Sequence, residues 1–165
     1  MVRNFYKQLS ESRKKNIFAD YEFMTLCKCT EKLNSMSAYD FLHGFCVTFA
    51  YVLSKEYGYS IAMREIQNTD AWEANVVHCW CEKDGCYIDV RGITRNFYEF
   101  WDEFEEFDSF DLENDNIVLL KFKNSSELYD YLEGDIIHNS FAPFYIRMAK
   151  ILLKEYSDYY RMEAA

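Results

Sequence analysis

Two hydrophobic periods organise this chain, one near four residues and one of two. Apolar positions first recur with helical spacing between Asn4 and about Leu33. Polar and basic residues (Arg13, Lys14, Lys15) come early there, and Phe18, Tyr21, Phe23, Met24 and Leu26 follow, with a break between Asp20 and Glu22. After the loop Asn34-Ser35-Met36-Ser37, Ser37 and Asp40 resemble a helix-capping pair, and Gly44 interrupts the segment. A helix is expected from about Cys46, carried by Val47, Phe49, Ala50, Leu53 and Tyr57 and stopped at Gly58. The period then shortens, and strands are expected over 59–66, 75–81 and 86–90, the last ended by Gly92. Thr94 is placed to cap a helix reaching about Phe104, and residues 117–122 read as a short apolar strand. Asn124 with Glu127 forms a second capping pattern, opening a helix to Leu132. Pro143 suits the first turn of a closing helix, whose Tyr145, Met148, Ala149, Leu152 and Tyr156 share one face. Helices, then a mainly antiparallel sheet, then helices make an α+β fold, with helices packed on a small sheet.

The hairpin in the middle of that sheet sets the register of its side chains. Asp84-Gly85 is a strong turn dipeptide. A four-residue loop over Glu82 to Gly85 would pair Cys81 with Cys86 and set His78 directly opposite Asp89. A slip of one residue would send those two side chains to opposite faces.

Composition bounds the rest. The chain has 165 residues, half of them hydrophobic and 19% aromatic, which is too apolar for a disordered segment and enough for one domain over 1–165. One proline and five glycines leave no flexible linker between two domains. No apolar run approaches the roughly 20 residues of a membrane span, and Met1-Val2-Arg3-Asn4 does not open a signal layout. The expectation is a cytoplasmic protein without a membrane partner, whose six cysteines stay as thiols. The net charge of −10 argues against direct nucleic-acid binding. Most of that imbalance lies between Asn96 and Leu120, which hold nine acidic residues and no Lys or Arg.

The candidate chemistry is nucleophilic. Cys46 at a helix N-terminus would feel unsatisfied backbone N–H groups and the positive end of the helix dipole, both of which favour thiolate. A neighbouring imidazolium would lower the thiol pKa further. His78 on a strand can then serve as the base, and Asp89 on the next strand can orient it. Backbone N–H groups at the helix end can also receive an oxyanion.

Gly44-Phe45-Cys46 with Phe49-Ala50, then Val77-His78-Cys79-Trp80, then Gly85-Cys86-Tyr87-Ile88-Asp89-Val90-Arg91-Gly92, resembles the transglutaminase-like and papain-like cysteine enzymes. The resemblance spans roughly Phe41 to Thr94. It implies a core of that type and attack by the Cys46 thiolate on the acyl carbon of a protein or peptide substrate. A thioester intermediate and release to water or an amine would follow, with no cofactor. Trp72, Trp80 and Arg91 are the candidates for shaping the substrate pocket. The upstream glutamine of papain-type enzymes has no counterpart, since none lies between Gln8 and Gln67.

Other constellations compete. Each triad member also has a plain packing role, Cys46 as a core thiol, His78 as an interior histidine and Asp89 as a strand end. Cys27-Lys28-Cys29 and Cys79-Trp80-Cys81 invite a zinc reading, against which the single-residue spacing argues. His43 and His138 are substitute bases. The run Glu99, Asp102, Glu103, Glu105, Glu106, Asp108 and Asp111 reads as a solvated helix face or as a docking surface for a basic partner. An acidic binding or inhibitor protein is therefore the alternative to an enzyme.

Overall fold

The computed structural model describes residues 38–66, 75–98, 100–101, 117–132 and 139–163. The expected helical region over 4–33, Trp72, the carboxylates of the acidic run, Cys27, Cys29 and His138 lie outside the described residues.

Helix α1 (Ala38–His43) leads into α2 (Cys46–Tyr57), which ends at Gly58 with φ 71°, the left-handed cap expected there. Strand β1 (Ser60–Ile66) follows, then β2 (Asn75–Lys83), β3 (Cys86–Asp89) and β4 (Gly92–Thr94). The short β4, absent from the sequence expectation, turns back on β3 and pairs Asp89 with Gly92. Gly92 therefore opens a new strand where only the end of one was expected. Strand β5 (Ile117–Phe122) lies beyond β1, giving an antiparallel order β4-β3-β2-β1-β5. Helices α3 (Ser125–Leu132), α4 (Pro143–Glu155) and α5 (Ser157–Tyr160) close the described chain.

Local chemistry accounts for several of these boundaries. Asn124 Oδ1 accepts the N–H groups of Ser126 and Glu127 at 3.0 and 3.1 Å, and Glu127 Oε2 accepts that of Lys123 at 2.7 Å. The helical residues after β4 are capped differently from expectation. Asn96 Oδ1 takes the Tyr98 N–H at 3.1 Å, while Thr94 Oγ1 takes that of Asn96. Thr94 itself is fully buried as a strand residue, so Asn96 provides the cap.

The core lies on both faces of the sheet. On one face α2 presents Val47, Phe49, Ala50 and Leu53 to Ile61, Met63, Cys79, Cys81 and Ile88, and α4 packs behind it with Met148, Ala149 and Leu152. On the other face Phe100 and Trp101 cover Trp80. Covering both faces explains why residues 77–81 of β2 are buried without alternation. The C-terminal helices are tied to the sheet by polar contacts. Tyr160 Oη donates to the Val90 carbonyl at 2.8 Å, and Tyr59 Oη donates to the Tyr160 carbonyl at 3.0 Å. Among the described residues, no helix is long and apolar enough to cross a membrane.

Candidate active site

The β2–β3 hairpin is tighter than the four-residue loop expected from the sequence. Lys83 pairs with Cys86, Glu82 with Tyr87 and Cys81 with Ile88. Asp84 and Gly85 alone form the turn, with φ of 49° and 73°, the two positive values of a type I′ turn. The register is therefore shifted by two residues. Carried one step further, it sets Asp89 beside Trp80 and leaves His78 as its diagonal neighbour rather than its direct partner. A two-residue shift preserves the face, because side chains alternate with period two. Diagonal neighbours remain within reach of long side chains.

His78 Nε2 lies 3.0 Å from Asp89 Oδ2, with both residues buried. A β-bulge assists. The β1 register passes from Arg64–His78 to Glu65–Val76, so Val77 is the extra residue immediately before His78. The imidazole stacks on Trp80 at 5.9 Å and 17°, and Phe100 lies 5.7 Å away.

Asp89 is fixed by a residue that the sequence reading placed elsewhere. Arg91 was expected to shape a substrate pocket, yet it is 1% exposed and its guanidinium turns inward. Its Nε donates to Oδ1 and Oδ2 of Asp89 at 3.1 and 3.0 Å, Nη2 donates to Oδ2 at 2.6 Å, and its backbone N–H reaches Oδ1 at 2.8 Å. Nη2 also donates to the Phe100 carbonyl at 3.0 Å, so the same side chain anchors the covering segment. Trp80 is likewise turned inward, behind the imidazole, with its indole N–H on Glu82 at 3.1 Å. The signal that could have revealed Arg91 is its place two residues after Asp89, across the tight β3–β4 turn.

Electrostatics define the protonation states. Burial opposes ionisation of Asp89, but the Arg91 charge and the hydrogen bonds from His78 and Arg91 outweigh it and hold the carboxylate well below its usual range. For His78 the balance reverses. Burial lowers its pKa more than the Asp89 hydrogen bond and charge raise it, and Arg91 and His43 lower it further. The ring is neutral at pH 7. With Asp89 ionised, Nε2 carries the proton toward it, and Nδ1 is the basic nitrogen.

Cys46 opens α2, as expected, and is buried at 7% exposure. Backbone N–H groups of Cys79, Val47 and Cys46 itself favour its thiolate, the first belonging to the residue after His78. Strand and helix run in the same direction here, since Cys81 Sγ donates to the Ala50 carbonyl at 3.3 Å, one turn further along α2. The thiol therefore approaches the His78–Cys79 peptide of β2, and the Asp89 charge acts on it. The expectation of a lowered thiol pKa is overturned. Burial pushes it from 9.0 to about 11, and the three N–H groups offset that only in part. Cys79 and Cys81, on the α2 side of β2, are raised well above the ordinary thiol value by burial too.

Two of the three expected residues are thus joined directly, and the third reaches the same strand through backbone. Among the described residues, the N–H groups of Cys79, Val47 and Cys46 favour negative charge at the sulfur. A recess of about 220 Å³, lined by Ser60 and residues 82–87, lies at the turn end of the hairpin, away from His78. Cys46, Cys79, Cys81 and Cys86 are free thiols, and among the described residues no three His, Cys, Asp or Glu side chains group to hold a metal ion. Comparison of the chain with protein-family models, with curated proteins and with solved structures gives no match.

Proposed function

We propose that this protein is a cysteine-dependent acyl-transfer enzyme, similar in its catalytic order to the transglutaminase-like and papain-like enzymes. Cys46 is the nucleophile, His78 the base and Asp89 the orienting group. The observation that carries this reading is the buried His78–Asp89 hydrogen bond, 3.0 Å long and locked by Arg91. It fixes one tautomer of the imidazole on the strand that also supplies the Cys79 N–H to the thiol.

The resting pair is neutral thiol and neutral imidazole, not a thiolate–imidazolium ion pair. Attack is therefore coupled to proton transfer. Because His78 projects from the opposite face of β2, passing the Cys46 S–H proton to His78 Nδ1 as sulfur bonds the acyl carbon requires a rearrangement of the Cys46–Cys79 contact. The imidazolium formed is stabilised by Asp89 and returns the proton to the leaving group. The N–H groups of Cys79, Val47 and Cys46 favour negative charge at this point. Water or an amine then resolves the thioester.

The experiment is intact-mass detection of an acyl adduct after mixing the protein with a panel of peptide amides, esters and thioesters. An adduct on Cys46 that disappears in Cys46→Ala supports the reading, and its absence across the panel contradicts it. The burial of the thiol favours a second reading, in which the same three residues pack the interior of a non-catalytic scaffold. That reading predicts no adduct, and unchanged biological activity in Cys46→Ala.

A further inference from the structure

Outside the triad, a second carboxyl group is buried with half of its hydrogen-bonding capacity unmet. Glu65 on β1 is 1% exposed. Its Oε1 accepts the Tyr131 hydroxyl at 2.8 Å, whereas Oε2 has no hydrogen-bond partner among the described residues. Buried polar atoms are nearly always satisfied, so an orphan acceptor of this kind calls for a donor. Among the described residues Glu65 forms no ion pair. The neighbouring cation, Arg64, points to the other face of the sheet, with its guanidinium 4.3 Å from the Trp101 ring centroid.

The surroundings narrow the class of donor. Tyr131 on α3 covers Glu65 while leaving its own residue 48% exposed, and its ring lies 5.4 Å from that of Phe122. Burial and Glu65 push the Tyr131 hydroxyl up to about 12, so it stays a donor at neutral pH and is spent on Oε1. The vacant acceptor thus lies behind a surface aromatic side chain in a chain of net charge −10. An anion is excluded, and a hydroxyl would offer one hydrogen bond without charge. A primary ammonium offers three donors, the complementary charge and attraction to the aromatic face.

We propose that Glu65 and Tyr131 form a binding site for the ammonium group of a small primary amine, with the Tyr131 side chain as its gate. The inference is independent of the thiol chemistry, and its test reads binding alone. Isothermal titration of the full chain with n-butylammonium at pH 7, with n-butanol as the uncharged control, is the direct measurement. The expected result is binding of the ammonium about tenfold or more tighter than the alcohol, with loss of that advantage in Glu65→Gln. Tyr131→Phe frees Oε1 as a second acceptor and should retain the preference for ammonium. Equal affinity of wild type and Glu65→Gln for butylammonium would overturn the proposal. So would equal affinity of the wild type for the amine and the alcohol, or no binding of the amine. If Glu65→Gln fails to fold, the amine-to-alcohol ratio in the wild type decides.

Discussion

The two faces of the sheet around residues 78 and 79 solve the burial of polar groups in opposite ways. On one face His78, Asp89, Arg91 and the Phe100 carbonyl form a chain of hydrogen bonds, and a carboxylate stays ionised in the interior because a guanidinium is wrapped around it. On the other face Cys46, Cys79 and Cys81 lie among apolar side chains, where burial keeps them as thiols. Burial alone suppresses charge, and burial with a geometrically matched partner preserves it. His78 is thereby fixed in place by Asp89, while Cys46 is held as an uncharged thiol.

The contrast breaks most sharply at Arg91. Arg91→Met leaves the Asp89 carboxylate buried without its counter-ion, and urea denaturation should show a loss of about 3–5 kcal/mol. Replacing Asp89 by Leu in the same chain should recover a large part of it. Acid should attack the same face. The folded-state pKa values of Asp89 and His78 are both depressed, so the unfolded chain takes up protons that the native one refuses. Stability should be full above the ordinary histidine value of 6.5 and should fall as pH drops below it. The fall should steepen below the ordinary carboxylate value of 3.8, and urea midpoints between pH 7 and 3 would trace it. His78→Gln should remove the first part of that loss and leave the second.

Alkali should act on the thiol face with the opposite sign. Cys46 is raised from 9.0 to about 11, so its contribution is intact below pH 9 and is lost as pH rises toward 11. That loss is on the order of 2–3 kcal/mol, and Cys46→Ala should reduce the alkaline decline by a comparable amount. The smallest effect lies in the turn that sets the register. Gly85→Ala places a side chain at φ 73° and should cost about 1 kcal/mol in denaturation while leaving the His78–Asp89 geometry intact.

Much of this arrangement was legible from residue order. The Gly58 stop, the Asn124–Glu127 cap, Pro143 at the start of a helix and strands expected over 59–66, 75–81 and 117–122 follow from local rules, and the structure shows them, the strands at 60–66, 75–83 and 117–122. The contact between His78 and Asp89 was also anticipated, although from a register two residues away from the observed one. It survives because an even shift conserves the face. What residue order hid was long-range. The inward turn of Arg91 depends on the β3–β4 reversal and on Phe100 arriving over the sheet. The protonated state of Cys46 depends on how completely α2 and β2 exclude water, which no helix-end rule measures. Glu65 looked like an ordinary charged strand residue, and only its burial beneath Tyr131 distinguishes it.

The most direct test of the proton route is the pH dependence of Cys46 acylation, followed by mass spectrometry with a thioester that labels the wild type. If His78 takes the thiol proton, the rate should be nearly level between pH 7.5 and 8.5, above the ordinary histidine value from which burial lowers His78, and His78→Gln should lower it about 100-fold or more. A rate that climbs tenfold per pH unit toward the thiol value of about 11, and is the same in His78→Gln, would show a plain buried thiol reacting by itself.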